Sequence, residues 1–166
     1  MCETELLERL MREYGDGLLR LCFLYLKDYH LAEDVVQETF LKAARSYGTL
    51  QNPAAEKAWL NRIAVNGCKN VMRTRWFRWS RYGLASEERA IDEQNPERLL
   101  ERQTISAALA ALSKSDREVL LLHYYQGFSV RETAAVLGKN EGAVAQRLRR
   151  ARKRLKKKLE EIGYEE

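Results

Sequence analysis

The chain has 166 residues, of which 29 are Lys or Arg and 24 are Asp or Glu, for a formal net charge of +5 at neutral pH. Hydrophobic residues make up 45% and charged residues 32%, which is ordinary for a foldable globular protein. No apolar run approaches the roughly 18 residues that a membrane span requires, and the N-terminus carries mixed charge, unlike a secretion signal. We therefore expect a cytoplasmic protein with no direct membrane insertion.

The charge is unevenly distributed along the chain. Residues 1–75 carry 11 basic and 10 acidic groups, residues 83–112 carry 3 and 6, and residues 113–166 carry 13 and 8. A basic C-terminal part is thus separated from a near-neutral N-terminal part by an acidic span. This pattern favours a polyanionic partner for the C-terminal part.

Metal-binding and catalytic patterns are missing from the sequence. The three cysteines, Cys2, Cys22 and Cys68, are widely spaced, form no CxxC pair and have no neighbouring histidine ligands. We expect Cys22 and Cys68 to be core residues and Cys2 to be an exposed thiol. No HExxH, GxSxG or phosphate-binding loop occurs, and no nucleophile has a partner base at a recognisable spacing. The sequence predicts no metal, no cofactor and no enzymatic activity.

Helical spacing of apolar residues begins at residue 3 and continues, weakened by Gly15 and Gly17, to about Tyr25. A second helix is predicted over residues 31–47. Its exposed side is acidic and rich in amides, which suits either a solvated face or a docking surface for a basic protein. The spacing alone favours the solvated face.

A third helix is predicted over residues 54–75, with cations and asparagines on its exposed side. Such side chains hold phosphates and read base edges. The segment 75–82, RWFRWSRY, then alternates arginine with large aromatic residues. It suits stacking on unpaired bases, or equally an extension of the helix whose aromatics pack on the domain. The polar, acidic stretch from residue 83 is predicted to be an inter-domain linker.

The second half of the chain resumes a helical pattern over residues 99–112. Ser115 to Glu118 has the pattern of a capping box, which predicts the start of a helix that ends at Gly127.

The most informative stretch is 129–159. Ser129 and Glu132 form a second capping-box pattern, Gly138 can end that helix, and Asn140 can cap the next. Nine Lys or Arg residues follow between positions 147 and 158, around one apolar stripe. The stripe consists of Val144, Leu148, Ala151, Leu155 and Leu159. Two short helices with a tight turn and a basic second helix are typical of a helix-turn-helix that enters the DNA major groove. The alternative is a solvated basic helix at a chain end.

Four segments, in this order, carry a family resemblance. DYHLAEDVVQETFLK at 28–42 resembles the AED-hVQETF signature of sigma region 2.2, and AWLNRIAVN at 58–66 resembles the WL-x-x-IA-x-N motif of regions 2.3 and 2.4. LSKSDREV at 112–119 resembles the LP-x-x-x-RE-h opening of region 4, and GAVAQRLRRAR at 142–152 resembles the TVKSRL-x-RAR recognition helix. The chain is similar to the extracytoplasmic-function (ECF, group 4) branch of the bacterial sigma-70 family.

The resemblance implies an all-α fold of two small helical domains, a region 2 bundle at 1–82 and a region 4 helix-turn-helix at 99–166, joined by an acidic linker at 83–98. It implies core RNA polymerase (through the β′ clamp helices and the β flap), promoter DNA and an anti-sigma factor as partners. The implied polymerase-binding residues are Glu33, Asp34, Gln37, Glu38 and Thr39. Those implied for the −10 element are Lys57, Arg62, Asn66, Lys69, Asn70 and Arg73. Those implied for the −35 element are Arg131, Lys139, Glu141, Gln146, Arg147, Arg149, Arg150 and Lys153.

The sequence departs from the family pattern at several positions. Asn70 stands where the family often has Asp, and Ser113 stands where it usually has Pro. The recognition helix has Gly142-Ala143 and Ala145-Gln146 in place of the usual polar residues, so no particular promoter sequence is transferred. Two other hypotheses stay open: a stand-alone dimeric helix-turn-helix regulator, and an interaction protein whose basic tail meets an acidic partner.

Overall fold

A computed structural model of the chain describes residues 2–82 and 104–163. For residues 75–82 it describes the backbone only. All regular structure in these ranges is helical, as predicted. The helices are α1 (Glu3–Leu26), α2 (Tyr29–Ser46), α3 (Glu56–Tyr82), α4 (104–110), α5 (Lys114–Leu120), α6 (Val130–Leu137) and α7 (Glu141–Ile162). The predicted linker at 83–98 lies outside the described residues.

Local capping signals set the ends of α1 and α2. Helix α1 runs unbroken through Gly15 and Gly17 and stops at Lys27, which adopts the left-handed conformation with φ 59°. Helix α2 begins at Tyr29, two residues before the predicted start, because the Asp28 carboxylate accepts a hydrogen bond from the backbone N–H of Leu31 at 3.0 Å. The predicted boundary missed this aspartate cap.

A buried carboxylate ties the first three helices together. Glu56, 6% exposed at the start of α3, accepts two hydrogen bonds from the Arg9 guanidinium of α1, at 2.9 and 2.8 Å. It also accepts hydrogen bonds from the hydroxyls of Tyr14 at 2.9 Å and Tyr47 at 2.5 Å. The bonds from Arg9, then those from Tyr47 and Tyr14, lower the pKa of Glu56 from 4.5 to about 2, although burial acts the other way.

We call α1–α3 the N-terminal bundle and α4–α7 the C-terminal unit. Their buried apolar side chains form one continuous cluster. Cys22 and Cys68 are both buried in it, as predicted, and the neighbouring Cys22 thiol together with burial raises the pKa of Cys68. Cys2 is exposed, as expected, and its sulfur also caps α1.

The predicted capping box at Ser115 is wrong. The N-cap of α5 is Ser113, whose hydroxyl accepts a hydrogen bond from the backbone N–H of Asp116 at 3.2 Å. The Asp116 side chain is buried and faces the arginines of α7. After Leu120 the helix widens into one π turn, Leu121–Tyr125, before Gly127 reverses the chain with φ 75°.

The Glu56 cluster predicts an acid-sensitive fold. Because its folded pKa lies below its unfolded value, Glu56 contributes stability that is complete above about pH 4.5 and is lost as the pH falls towards about 2. We expect the wild type to lose on the order of 2 kcal/mol across this window through this group. Urea unfolding of the wild type and Glu56→Gln at a series of pH values measures the difference. Identical pH profiles for the two proteins would contradict the assignment.

Candidate nucleic-acid interface

The turn between α6 and α7 has the geometry that the sequence predicted. The Ser129 hydroxyl accepts from the backbone N–H of Glu132 at 3.0 Å, and the Glu132 carboxylate accepts from the backbone N–H of Ser129 at 3.1 Å. Gly138 ends α6 with φ 64°, and the Asn140 side chain accepts from the backbone N–H of Gly142 at 2.7 Å. All three predicted signals are confirmed.

Helix α7 has one buried face and one open face. Val144, Leu148 and Ala151 are buried, while Leu155 and Leu159 at the far end are half-buried. Most of the side chains predicted for the −35 element are exposed, on α7, on the turn before it or, in the case of Arg131, on α6. These exposed residues are Arg131, Lys139, Glu141, Gln146, Arg149, Arg150 and Lys153.

Arg147 differs from the other predicted −35 residues because its half-exposed side chain pairs with a buried carboxylate. It lies 3.5 Å from the Asp116 carboxylate of α5, and Arg154 approaches the other oxygen of that carboxylate at 2.6 Å. Asp116 is 1% exposed, so its charge requires such partners. Arg147 and Arg154 therefore orient α7, and Arg149 and Arg150 are left to present charge to solvent.

Of the six side chains predicted for the −10 element, five share one side of α3, namely Arg62, Asn66, Lys69, Asn70 and Arg73, and Lys57 lies on another side. All of them are exposed except Lys69, which is half-buried. The guanidinium of Arg73 donates to the Asn70 side-chain oxygen at 2.6 Å, which fixes both groups. Cations and an amide thus lie together on one helix face, as a site for phosphates and bases requires.

The face of α2 predicted to bind polymerase is largely open. Asp34, Gln37 and Glu38 are exposed and Glu33 is half-buried. Thr39 is an error in the prediction, since it is 2% exposed and its hydroxyl donates to the Val35 carbonyl at 2.7 Å. Helical geometry places it four residues after buried Val35, on the side that packs inwards.

The sequence reasoning missed a cluster that joins the two parts of the chain. Glu118 of α5, 3% exposed, accepts a hydrogen bond from the Tyr25 hydroxyl of α1 at 2.8 Å and lies 3.3 Å from Lys69 of α3. Arg117 donates to the Tyr25 carbonyl at 3.0 Å. Burial, followed by the Glu118 charge, raises the pKa of Tyr25. No local pattern marks these contacts, and the two that involve Tyr25 span more than 90 residues.

Within residues 2–82 and 104–163, no cluster of three or more His, Cys, Asp or Glu side chains is placed to hold a metal ion. None of the helices in these ranges combines the length and the apolar character needed to cross a membrane.

Comparison with known families matches both parts of the chain. Residues 10–78 match the family described as Sigma-70 region 2, and residues 102–155 match the family described as Sigma-70, region 4. The first range covers most of α1, all of α2 and most of α3, and the second includes the helix-turn-helix.

Relatives align over almost the whole chain. The ECF RNA polymerase sigma factor SigL of Mycobacterium tuberculosis is 34% identical, over 97% of this chain and 93% of its own length. The ECF RNA polymerase sigma factor SigX of Bacillus subtilis is 28% identical, over 97% and 87%. The chain therefore belongs to the ECF sigma factors of the sigma-70 family.

Two solved structures share the fold across both parts. The sigma factor RpoE of Bartonella quintana, in complex with the anti-sigma factor NepR, has a TM-score of 0.78 and 29% identity, covering 92% of this chain and 96% of that one. CnrH, in complex with the cytosolic domain of CnrY, has a TM-score of 0.69 and 28% identity, covering 93% and 87%.

Replacing glycine by alanine is expected to have opposite effects on stability at two positions, Gly138 in the turn before α7 and Gly15 inside α1. Gly138→Ala places a side chain at φ 64° and is expected to destabilise the protein by about 1 kcal/mol. Gly15→Ala lies inside α1 with no atom within 4 Å of the new methyl group, and is expected to stabilise by up to about 1 kcal/mol. Urea unfolding of both variants provides the measurement. The same sign for both would show that backbone conformation does not control these sites.

Proposed function

We propose that the chain directs RNA polymerase to promoters, as an ECF sigma factor does. The exposed surface of α2 binds polymerase, and those of α3 and α7 bind promoter DNA. The capped turn before α7 carries this proposal, because it presents a cationic helix face with its apolar stripe packed inside. The residue assignments follow from which side chains are exposed and which are bound internally.

The acidic face of α2 is proposed to dock on the β′ clamp helices of core polymerase. Asp34, Gln37 and Glu38 supply exposed carboxylates and an amide. The nearest internal partner of Glu38 is Lys42 at 3.9 Å, both side chains being more than half exposed, so this pair holds Glu38 only weakly. Glu38 can therefore leave Lys42 and bind a cation on the polymerase at little cost in free energy.

We assign the −10 element to the exposed face of α3 and the −35 element to α7. On α3, Arg62 and Asn66 offer a phosphate-binding cation and a base-reading amide one turn apart. On α7, Gln146 has the side chain that pairs with adenine in a major groove, and Arg149 and Arg150 suit the flanking phosphates. Arg147 was also predicted to contact DNA, and we now assign it to the ion pair with Asp116 instead.

We assign residues 1–82 to a polymerase-docking and −10 domain, 83–98 to a linker and 99–166 to a −35 domain. Polymerase holding both domains on one promoter raises the effective concentration of the second DNA contact, so each contact alone need only be weak. This role is non-enzymatic and cytoplasmic, and an anti-sigma factor is its expected regulator.

The overall assignment is tested by footprinting on a library of promoter fragments, with and without core polymerase. Protection that requires polymerase supports the sigma function. Protection by the chain alone at palindromic sites would instead identify a stand-alone dimeric regulator, and no protection in either case would overturn both.

A charge reversal on α2 tests polymerase docking. Glu38→Lys is expected to weaken core polymerase binding about tenfold, because it places a cation where the proposed interface has an anion. Glu8→Lys, which makes the same change on an exposed position of α1, is the matched control and is expected to bind normally. Native gels measure the affinity of each variant for core polymerase. Equal losses of affinity in the two variants would reject the α2 face as the docking surface.

Salt dependence tests the cations of α7. Arg149→Ala and Arg150→Ala are each expected to lower the slope of log K against log salt by about 0.9 on duplex DNA, the value for one lost phosphate contact. Arg12→Ala removes the same charge from an exposed site on α1 and is expected to leave the slope unchanged. Slopes that do not distinguish Arg149→Ala from Arg12→Ala would exclude phosphate contacts at α7.

A further inference from the structure

A cavity of about 400 Å³ lies between the N-terminal bundle and the C-terminal unit. Its walls come from α1, α3, α5 and the turn before α7. Its most deeply buried lining residues are Tyr25, Met72 and Glu118, none of which is more than 7% exposed. Sites for small molecules usually measure roughly 300–1,000 Å³, so this cavity is large enough for a small ligand.

The lining of the cavity is strongly cationic. Lys69, on α3, is half-buried. The other three cations, Arg73, Lys114 and Lys139, are exposed at the edge of the cavity. Among the described residues that line it, Glu118 is the only anion, so four positive charges and one negative charge give a net charge of +3. A recess lined mostly by one sign of charge concentrates ions of the opposite sign.

The Glu118 carboxylate is already paired within the protein. One of its oxygens accepts a hydrogen bond from the Tyr25 hydroxyl at 2.8 Å and lies 3.3 Å from the Lys69 ammonium. The other oxygen lies 3.8 Å from the Lys139 ammonium. Because both oxygens have cationic partners, the carboxylate repels an anion in the cavity less than an unpaired carboxylate would.

The remaining polar groups of the lining suit a phosphate. The Arg73 guanidinium donates to the neutral side-chain oxygen of Asn70 at 2.6 Å, which orients the charge of Arg73 without cancelling it. On α5, the exposed Lys114 is followed by Ser115, whose side chain is half-buried and whose hydroxyl can donate to an oxygen. Guanidinium and ammonium groups make the strongest hydrogen bonds to phosphate oxygens.

The net charge of the lining distinguishes between one phosphate group and two. A single phosphate group carries about −1.5 to −2 at neutral pH, which leaves part of the charge of +3 uncompensated. A diphosphate group carries more negative charge and more acceptor oxygens than a monophosphate, and therefore matches this lining better.

We propose that the cavity binds a diphosphate group, supplied either by free pyrophosphate or by a nucleotide. Lys69 and Arg73 hold it from the N-terminal bundle, and Lys114 and Lys139 hold it from the C-terminal unit. Lys114 and Ser115 belong to none of the polymerase or DNA surfaces assigned above, so this site does not depend on the proposed function. A ligand that binds the folded chain here also stabilises it by mass action.

Isothermal titration calorimetry of the full-length protein tests the site with sodium orthophosphate, sodium pyrophosphate and ADP, at constant ionic strength and without divalent cations. We expect one pyrophosphate to bind per chain, about tenfold more tightly than orthophosphate, and to raise the melting temperature. Tighter binding of ADP than of pyrophosphate would identify a nucleotide as the source of the group. Tighter binding of pyrophosphate would identify the free anion.

Two substitutions test the lining residues. Lys114→Gln and Lys139→Gln are each expected to bind pyrophosphate about tenfold more weakly, which corresponds to one lost hydrogen bond to a charged group. Lys153→Gln makes the same chemical change at an exposed position of α7 outside the cavity, and is expected to bind like the wild type. Circular dichroism confirms that each variant keeps its helical content.

Three results would overturn the inference. They are the absence of saturable pyrophosphate binding, equal affinities for pyrophosphate and orthophosphate, and equal losses of affinity in Lys114→Gln and Lys153→Gln. The last result would show that the net charge of the chain, and not the cavity, attracts the anion. The sigma function is tested separately, because Lys114→Gln is expected to give the wild-type footprint with core polymerase.

Discussion

Three consecutive charged residues on α5, of which Asp116 and Glu118 are buried and Arg117 is half-buried, determine how the neighbouring helices are arranged. Asp116 binds two arginines of α7, Arg117 binds a backbone carbonyl of α1, and Glu118 binds Tyr25 of α1 and Lys69 of α3. Helical geometry points neighbouring side chains in different directions, so one short helix reaches three others. A charge removed from water costs several kcal/mol unless it is paired, and each pairing therefore specifies where a partner helix must lie.

This arrangement explains why the cations of α7 are not equivalent. Arg147 and Arg154 pair with the buried Asp116 carboxylate and hold the helix, whereas Arg149 and Arg150 are exposed. A recognition helix held this way presents its DNA-facing side chains from a fixed axis, which reduces the entropy lost on binding. The buried Asp116 carboxylate thus helps to position the helix face that we propose for DNA binding.

The sequence was most informative where the signals are local. The Ser129 capping box, the glycine that ends α6, the Asn140 cap and the apolar stripe of α7 act within a few residues, and all of them were read correctly. Errors arose where tertiary contacts chose between neighbouring options. Ser113 and Ser115 lie two residues apart, and Ser113 is the cap, which leaves Asp116 free to pair with the arginines of α7. Thr39 was assigned to the wrong side of α2. The contact of Glu118 with Tyr25 joins positions 93 residues apart, and no local pattern encodes it.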